Sequence, residues 1–380
     1  LACHSSLALN NGLALSPPMG WSSWNHYHRK YNESVFYANA KAMASNGMKD
    51  VGYEYINIDG GWWAGADTGH AQRNATGFMQ VNAEKFPNGI PKLVDYVHSL
   101  GLKWGHYTDA GSHFCNRDEP ASYGYEEQDA KLFVSFGADM VKIDACGSTT
   151  EQHEPTMAKW ARLFNESGRP VLVSNCHNGC QTNAWFDWCP QSANMWRSSS
   201  DINDSWKSIM SNLHTLVERG AYGGPGRWND PDFLEVGNSG LSHDEAVAHF
   251  SLWCVTSSPL IAGNDLTSMD AATLAIYTNK VAISVNQRYL NSSGDRVMVN
   301  GTLEVWAKPL PDNEYGVVLL NAGDETESIT FPLSKLGIAS RTTCQQYDIW
   351  TQASGPVPDG ILNSGPLAKH SAKFYVISKC

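Results

Sequence analysis

Short apolar segments alternate with segments of helical periodicity along the chain as far as about residue 286. Apolar runs of this length, bounded by glycine and polar residues, predict buried strands. Eight strands are predicted, at residues 18–24, 53–59, 103–109, 140–144, 170–175, 195–201, 227–233 and 258–262. A series of eight strand–helix units predicts an α/β fold, the (β/α)8 TIM barrel.

The segments between the predicted strands carry apolar residues at helical spacing, as in Leu93, Val94 and Val97. Helices are predicted at residues 34–44, 91–100, 127–136, 155–164, 205–217 and 243–255. We expect Ser34 to be the N-cap of the first of them.

Beyond residue 286 the helical periodicity disappears. Short β-type runs follow, at residues 297–299, 303–307, 315–320, 327–331 and 374–377, separated by Gly, Pro, Asn and Asp. This pattern predicts an antiparallel β-sandwich. We therefore expect a (β/α)8 barrel at residues 1–286 and a C-terminal β-sandwich at residues 287–380.

Composition and charge narrow the classes of partner. Hydrophobic residues make up 42% of the chain and charged residues 17%, which is typical of a globular protein. The net charge of −11 argues against binding to nucleic acids or to anionic membranes, because both attract basic surfaces. The sequence contains no apolar run long enough to span a membrane.

Cysteines and glycosylation sequons point to the secretory route. The chain has nine cysteines and Asn-x-Ser/Thr sequons at Asn32, Asn74, Asn165, Asn203, Asn291 and Asn300. We expect a secreted, extracellular protein whose signal peptide has been removed. Cys344 should pair with Cys380, and Cys3 should pair with one of Cys176, Cys180 and Cys189, leaving the other two to pair together. Cys254 lies in an apolar helical run and should be a free thiol.

Polar residues gather where predicted strands end, the face at which TIM barrels carry their active sites. They are Trp24, Asp59, Tyr107, Asp109, Lys142, Asp144, Arg197, Asp201, Trp228, Asp230 and Asp232. A single aspartate at a strand end is as easily explained as a partner for loop amides. Carboxylates from five strands at one rim indicate a site for a ligand, because burying them together without one is costly.

Carboxylates beside tryptophans suit a sugar, whose hydroxyls form hydrogen bonds and whose C–H faces stack on aromatic rings. Hydrolysis of an acetal uses two carboxyl groups, one ionised and one protonated. Lys142 points to the same side of its strand as Asp144 and should keep Asp144 ionised, as a nucleophile requires. Asp201 has no such cation beside it in sequence and should keep the higher pKa of a general acid, unless Arg197 turns toward it.

Four segments resemble glycoside hydrolase family 27, the family of α-galactosidases and α-N-acetylgalactosaminidases. They are PPMGWSSWN (17–25), VKIDAC (141–146), WRSSSDINDSW (196–206) and WNDPD (228–232), in the family's order. The resemblance implies a TIM barrel with a C-terminal β-sandwich, and neither a metal nor another cofactor. It implies Asp144 as the nucleophile and Asp201 as the acid/base. It also implies sugar contacts by Trp24, Asp59, Tyr107, Lys142 and Arg197, and a Cys115–Cys146 disulfide at the pocket rim, where both cysteines follow predicted strands.

The chain departs from the family pattern where the sugar is recognised. Gly60 and Gly61 stand where galactosidases have Asp-Cys, and the missing aspartate would hold the 6-hydroxyl. His177 stands where galactosidases have a Glu near the 2-hydroxyl. Gly60, His177 and Asp232 are the remaining candidate substrate-binding residues. A terminal α-galactoside is the expected substrate, and the alternatives are an isomaltose-releasing dextran hydrolase and a β-L-arabinopyranosidase.

Two readings from other classes compete with a glycosidase. His26, His28, Lys142, His177 and Asp265 loosely resemble the metal ligands of an amidohydrolase barrel, although Arg197 stands where another histidine is needed. A catalytically dead barrel could bind a saccharide without cleaving it, but this chain keeps both candidate carboxylates.

The position of Asn203 adds an expectation about glycosylation. Asn203 lies two residues after Asp201, so a glycan there would block the predicted cleft. We expect Asn203 to be unmodified, and Asn74 and Asn165 to be better acceptors.

Overall fold

The computed structural model describes residues 9, 11–177, 179–180, 188–339 and 343–380. Its first part is a sheet of eight parallel strands. They are β1 Met19–Ser22, β2 Tyr55–Asn57, β3 Lys103–Asp109, β4 Met140–Asp144, β5 Leu172–Asn175, β6 Met195–Arg197, β7 Trp228–Asp230 and β8 Leu260–Ala262. Strands β1 to β7 pair in chain order, and β8 pairs with β1. A parallel bridge between Leu234 and Ala262 closes the sheet into the predicted barrel.

Ten α-helices surround or flank these strands in the described part of the chain. They are α1 Trp24–Tyr27, α2 Glu33–Ser45, α3 Ile90–Ser99, α4 Glu126–Phe136, α5 Thr150–Glu166, α6 Cys189–Ser192, α7 Trp206–His214, α8 His243–Val255, α9 Ala271–Tyr277 and α10 Lys280–Gln287. The four that were not predicted, α1, α6, α9 and α10, are short.

Two details of the predicted helices are corrected. The N-cap of α2 is Asn32 rather than Ser34, because the Asn32 side chain accepts from the backbone N–H of Ser34. Helix α5 begins at Thr150, ahead of the predicted start at residue 155, because Thr149 and Gln152 form a reciprocal capping box.

The amino-terminal end of the barrel is filled by side chains. Tyr55, Met140, Leu172 and Met195, the first residues of β2, β4, β5 and β6, form one buried cluster. Packing at this end leaves the carboxyl end of the barrel as the face where a ligand can enter.

The second part is antiparallel. Its strands are β9 Asp295–Asn300, β10 Leu303–Leu310, β11 Glu314–Asn321, β12 Glu327–Pro332, β13 Cys344–Asp348, β14 Ser354–Val357, β15 Ile361–Leu367 and β16 Ser371–Ser378. Six of them form a sheet in the order β14-β13-β16-β11-β10-β9, and β12 pairs with β15. Apolar side chains of both sheets, among them Val317, Phe331 and Leu362, share a second core. These layers form the expected sandwich.

The barrel and the sandwich are joined by buried contacts. Helix α10 ends at Gln287 and β9 begins at Asp295, while the boundary at residue 286 remains a prediction. The buried ammonium of Lys308 on β10 donates to the carbonyls of Val285 (2.6 Å) and Asn286 (3.0 Å), near the carboxyl end of α10. This contact satisfies backbone acceptors that a helix end leaves open.

Disulfides are present at three places in the described residues. Cys115–Cys146 and Cys344–Cys380 pair as expected, and Cys180 pairs with Cys189. Cys254 is a buried free thiol, while the predicted bond of Cys3 falls outside the described residues. Within those residues, no helix is both long and apolar enough to cross a membrane.

Candidate active site

A pocket of about 160 Å³ opens at the carboxyl end of the barrel. It is small beside the roughly 300–1,000 Å³ of drug-sized ligand sites, which suits one sugar ring. All ten predicted catalytic and substrate-binding residues line it: Trp24, Asp59, Gly60, Tyr107, Lys142, Asp144, His177, Arg197, Asp201 and Asp232. Strands β2, β3, β4, β6 and β7 or their following loops bring most of them together, as the strand-end pattern predicted.

Asp144 ends β4 and lies in the wall of this pocket, with 12% of its side chain exposed. The Tyr107 hydroxyl donates to Oδ2 at 2.9 Å, and the backbone N–H of Ala145 donates to Oδ1 at 3.0 Å. Burial alone would raise the pKa of Asp144, but the contact with His177, the charge of Lys142 and the Tyr107 hydroxyl lower it to about 2. Asp144 is therefore ionised over the range in which proteins normally work.

Lys142 favours the ionised form of Asp144 through its charge, as the sequence predicts, although its direct partner is a different carboxylate. Its ammonium donates at 2.7 Å to Oδ2 of Asp59, which follows β2, and both side chains are nearly buried. Burial opposes the charge of Lys142, yet Asp59 raises the pKa of Lys142 above its ordinary value. Lys142 thus favours an ionised Asp144 through its nearby charge, while its direct partner is Asp59.

Asp201 lies at the pocket mouth, where 71% of its side chain is exposed. The buried guanidinium of Arg197 reaches both Asp201 Oδ1, at 2.7 Å, and Asp232 Oδ2, at 2.8 Å. Although partial burial acts in the other direction, the charges of Arg197 and Lys142 lower the pKa of Asp201. The alternative that the sequence left open, a turn of Arg197 toward Asp201, is therefore the one observed, and Asp232 holds Arg197 in the orientation that lowers the pKa of Asp201.

His177 lies between the two carboxylates. Its Nδ1 is 3.5 Å from Asp144 Oδ1, and its Nε2 is 3.7 Å from Asp201 Oδ1. The backbone of His177 has φ +66°, a left-handed conformation that is unusual for a residue other than glycine. The sequence marked His177 as a departure in substrate binding, and the structure adds that its imidazole touches both candidate catalytic groups.

Gly60 faces the pocket beside a group of aromatic rings. A Cβ at this position would lie 3.5 Å from Tyr107, 3.6 Å from Trp63 and 3.8 Å from Trp24. These are ordinary van der Waals distances, so a small side chain fits there. The sequence reasoning missed Trp63, although its position soon after the predicted end of β2 could have indicated it.

Two other carboxylates at the rim are partners for loop amides, the structural role that an aspartate at a strand end can also have. Asp109 accepts from the backbone N–H groups of Gly111 and Cys146, and Asp230 accepts from that of Asp232. Burial raises the pKa of Asp109, and it raises that of Asp230 to about 6. Both side chains hold the loops that carry pocket residues.

Of the histidines in the amidohydrolase reading, His177 shares the catalytic pocket with Lys142, but His26 and His28 do not. His26 and His28 line a separate, neighbouring cavity. Asp265 accepts from the backbone N–H and the hydroxyl of Thr267, in a turn after β8. This arrangement contradicts the predicted grouping of these residues.

Comparison with known proteins agrees with the geometry. Residues 16–288 match the family model of α-galactosidase A, and residues 300–377 match that of the α-galactosidase C-terminal β-sandwich domain. The chain is 40% identical to α-galactosidase 2 of Arabidopsis thaliana, over 99% of this chain and 93% of the relative. It is also 40% identical to the α-galactosidase of Cyamopsis tetragonoloba, over 97% of this chain and 87% of the relative.

Solved structures show the same architecture. α-Galactosidase I of Mortierella vinacea superposes with a TM-score of 0.90 at 32% identity, covering 97% of this chain and 98% of the other. An α-galactosidase of Saccharomyces cerevisiae determined with raffinose gives a TM-score of 0.88 at 27% identity, covering 97% and 98%. The chain belongs to the α-galactosidase family, glycoside hydrolase family 27. It is a glycoside hydrolase of the retaining class, and neither the amidohydrolase nor the inactive-barrel reading is favoured.

Proposed function

We propose that this enzyme removes terminal α-galactosyl residues by double displacement, with Asp144 as the nucleophile and Asp201 as the general acid/base. The observation that carries the proposal is the pairing of an ionised, buried Asp144 with an exposed Asp201 across a pocket the size of one sugar ring. The identity of the sugar is inferred from the α-galactosidase relatives.

The reaction follows from the two positions. Asp144 attacks the anomeric carbon while Asp201, protonated, gives its proton to the glycosidic oxygen, so that the leaving group departs as an alcohol. The product of this step is a glycosyl ester of Asp144. Asp201, now ionised, then takes a proton from water as the water attacks the anomeric carbon and Asp144 departs. Two displacements at the same carbon retain its configuration.

Protonation of Asp201 depends on the occupancy of the pocket. Arg197 and Lys142 keep the pKa of Asp201 low. A substrate at the mouth covers this exposed carboxylate and removes water from it, which raises the pKa. The second step then needs the ionised form, which Arg197 favours. Because the first step needs a protonated Asp201 and the second step an ionised one, we expect turnover to be fastest at acidic pH.

The pocket also offers the contacts that a sugar needs. Asp59 can accept from hydroxyls while Lys142 holds it at 2.7 Å, and Trp24 and Trp63 provide aromatic surface. A pocket that holds one ring and opens at the Asp201 side favours cleavage from the end of a chain over cleavage within it.

The surroundings of Gly60 bear on the choice of sugar. A Cβ there would already touch three aromatic rings, so the space beside Gly60 accepts a few atoms rather than a second sugar linked through O6. This argues against an isomaltose-releasing activity and leaves α-galactoside as the substrate. The β-L-arabinopyranosidase of Geobacillus stearothermophilus resembles the chain at 23% identity, which is evidence for the fold alone.

We also propose that the protein is secreted. The Cys115–Cys146, Cys180–Cys189 and Cys344–Cys380 disulfides are typical of an oxidising compartment, and the six sequons agree with that route.

A panel of aryl glycosides tests the sugar. The enzyme should hydrolyse aryl α-galactoside and release galactose from raffinose, with aryl β-L-arabinopyranoside turned over more slowly and dextran untouched. Faster cleavage of the arabinoside, or isomaltose release from dextran, would replace the α-galactoside assignment with that alternative.

A further inference from the structure

A buried cysteine thiol lies directly behind the catalytic pocket. Cys176 follows β5 and takes part in none of the three described disulfides. The proposed reaction uses neither this thiol nor the imidazole of the next residue, His177. Both belong to a group of three side chains, Asp144, Cys176 and His177, whose ligand atoms all lie within 4.8 Å of one another.

The distances within this group are those of neighbouring ligands around a zinc ion. Nδ1 of His177 lies 3.6 Å from Sγ of Cys176 and 3.5 Å from Oδ1 of Asp144. Zinc binds sulfur at about 2.3 Å, and nitrogen and carboxylate oxygen at about 2.0–2.2 Å. Tetrahedral angles between such bonds place neighbouring ligand atoms about 3.3–3.6 Å apart. A zinc ion therefore needs only small movements of the three side chains to fit between them.

The backbone of His177 explains why two consecutive residues can bind one ion. Consecutive side chains of an extended strand point to opposite faces, so Cys176 and His177 would ordinarily diverge. The left-handed φ of +66° at His177 turns the chain as it leaves β5, and Nδ1 lies beside the sulfur of Cys176. Strained backbone of this kind occurs preferentially at functional sites.

The hydrogen bonds of His177 leave Nδ1 as the atom that can bind a metal. Its Nε2 lies 3.2 Å from the carbonyl oxygen of Ser199, which can only accept, so Nε2 carries a hydrogen. Arg197 Nη2 also lies 3.4 Å from Nε2, but the two carboxylates at 2.7 and 2.8 Å take the hydrogens of that Nη2. A metal-binding histidine usually donates from its other nitrogen to such a carbonyl. A metal ion would replace the proton that can bridge Nδ1 and Asp144.

An ion can reach the thiol from the pocket and find a thiolate there. His177 and Asp144 line the pocket, with 23% and 12% of their side chains exposed. Burial favours the neutral thiol of Cys176, while the guanidinium of Arg197, whose Nη1 lies 3.8 Å from the sulfur, favours the thiolate. A divalent cation displaces the thiol proton, which passes to the solvent.

We propose that Asp144, Cys176 and His177 form an inhibitory binding site for a divalent transition-metal cation, with Zn²⁺ as the ion that the ligands fit best. Zinc accepts one sulfur, one nitrogen and one oxygen as ligands, whereas Mg²⁺ and Ca²⁺ take oxygen ligands. Three protein ligands leave the fourth position of the tetrahedron open for water. Galactosidases with a Glu in place of His177 have no imidazole here, so the nitrogen ligand belongs to the chain's own departure at this position.

Coordination of Asp144 explains why the ion inhibits. An oxygen of Asp144 that is bound to zinc is no longer available to attack the anomeric carbon of a sugar. Metal binding depends on the three side chains alone, whereas the loss of activity rests on the proposed role of Asp144 as the nucleophile. The two consequences can therefore be measured separately.

Inhibition by Zn²⁺ is the first test. The purified protein is treated with EDTA, freed of the chelator and assayed over a range of ZnCl₂ concentrations, on the aryl glycoside that the panel identifies as its best substrate. We expect Zn²⁺ to inhibit the wild type, EDTA to restore the activity, and MgCl₂ at the same concentrations to have no effect. Equal inhibition by Mg²⁺ and Zn²⁺ would overturn the proposal.

Variants of the two ligands outside the reaction locate the site. Cys176→Ala and His177→Gln should each raise the Zn²⁺ concentration for half inhibition at least about tenfold, since even the loss of a ligand's own partner costs about that much. Each variant is compared with its own activity without metal. Cys254→Ala, which removes a buried thiol on α8, is the matched control and should stay within about twofold of wild type. Unchanged sensitivity in both ligand variants would overturn the site.

Cobalt reports the ligands without reference to activity. Co²⁺ can replace Zn²⁺ in such sites, and a thiolate bound to it gives a charge-transfer band in the near ultraviolet. The wild type titrated with CoCl₂ should develop this band, Cys176→Ala should not, and Asp144→Asn should need at least about tenfold more cobalt. A folded wild type without the band would overturn the site and leave the proposed function as it stands. A band without any loss of activity would overturn the inhibition and would count against Asp144 as the nucleophile.

Discussion

The inner and outer walls of the catalytic pocket hold their carboxylates in opposite ways. Asp144, on the inner wall, is 12% exposed and is held by Tyr107, the backbone of residue 145 and His177. Asp201, on the outer wall, is 71% exposed and has one strong partner, Arg197. The inner wall fixes a charge, whereas the outer wall leaves its carboxylate open to the solvent.

This difference explains how one aspartate can remain ionised while the other changes state. The pKa of Asp144 is about 2 because several groups stabilise its charge at once, and a bound sugar adds little to its burial. The environment of Asp201 changes greatly when a substrate covers it. The proposed nucleophile is therefore prepared by the fold, and the proposed acid is prepared by the substrate.

The largest effects should come from removing either carboxylate. Asp144→Asn should lose roughly 10³-fold or more in kcat on every substrate, because no ester can form. Asp201→Asn should lose as much with raffinose but far less with an aryl galactoside, whose leaving group needs little protonation. Added azide should restore turnover of the aryl substrate by Asp201→Asn. Equal losses on both substrates would contradict the assignment of Asp201.

The buried Asp59–Lys142 pair should have the next largest effect. Lys142→Met leaves the carboxylate of Asp59 buried without its cation, so we expect a loss of about 3–5 kcal/mol in the free energy of unfolding, together with most of the activity. The double variant Asp59→Asn/Lys142→Met should regain much of the stability and none of the activity. Denaturant titration measures this recovery, and a double variant as unstable as the single one would show that the pair is not the cause.

A smaller change is expected at Gly60. Gly60→Asp supplies a charged acceptor beside the sugar, so kcat/KM for an aryl α-galactoside should rise about tenfold. The gain should be absent with an aryl β-L-arabinopyranoside, which lacks the 6-hydroxyl. Gly60→Ala is the control and should fold normally, because its Cβ makes ordinary contacts only. A loss on the galactoside in the Asp variant alone would mean that the aromatic rings do not admit the charge.

The smallest effect concerns stability and pH. Burial raises the pKa of Glu235 from 4.5 to about 7, despite the two asparagine amides that bind it. A carboxyl group with a raised pKa contributes stability that is complete below pH 4.5 and is lost as the pH rises toward 7. In Glu235→Gln, the loss in the free energy of unfolding between pH 4.5 and pH 7.5 should be smaller by about 1–3 kcal/mol. Thermal unfolding of both proteins at the two pH values measures this difference. An equal pH dependence of stability in wild type and Glu235→Gln would mean that other groups cause it.

The sequence predicted the barrel well because each buried strand is a short apolar run with its polar residue at the end. Met140–Asp144 is one example, in which the period of two and the final aspartate define both the strand and the pocket. Trp24 is an exception, since β1 ends at Ser22 and Trp24 opens a short helix. A single helical turn carries too little periodicity to be seen in the sequence.

The pKa values in the site could not be predicted from the sequence, because they depend on contacts between residues that are distant along the chain. The pKa of Asp201 is set by Arg197, whose orientation is set by Asp232 from the following loop. Likewise, the contact of His177 with both carboxylates depends on a left-handed backbone at that residue.

Trapping of the glycosyl-enzyme tests the assignment of Asp144 as the nucleophile. A fluorinated α-galactosyl fluoride that forms the ester but hydrolyses slowly is incubated with the wild-type enzyme, and the labelled peptide is identified by mass spectrometry. We expect one sugar per chain, attached to the peptide that contains Asp144, and no label in Asp144→Asn. A label on any other residue, or full inactivation with no covalent sugar, would contradict double displacement through Asp144.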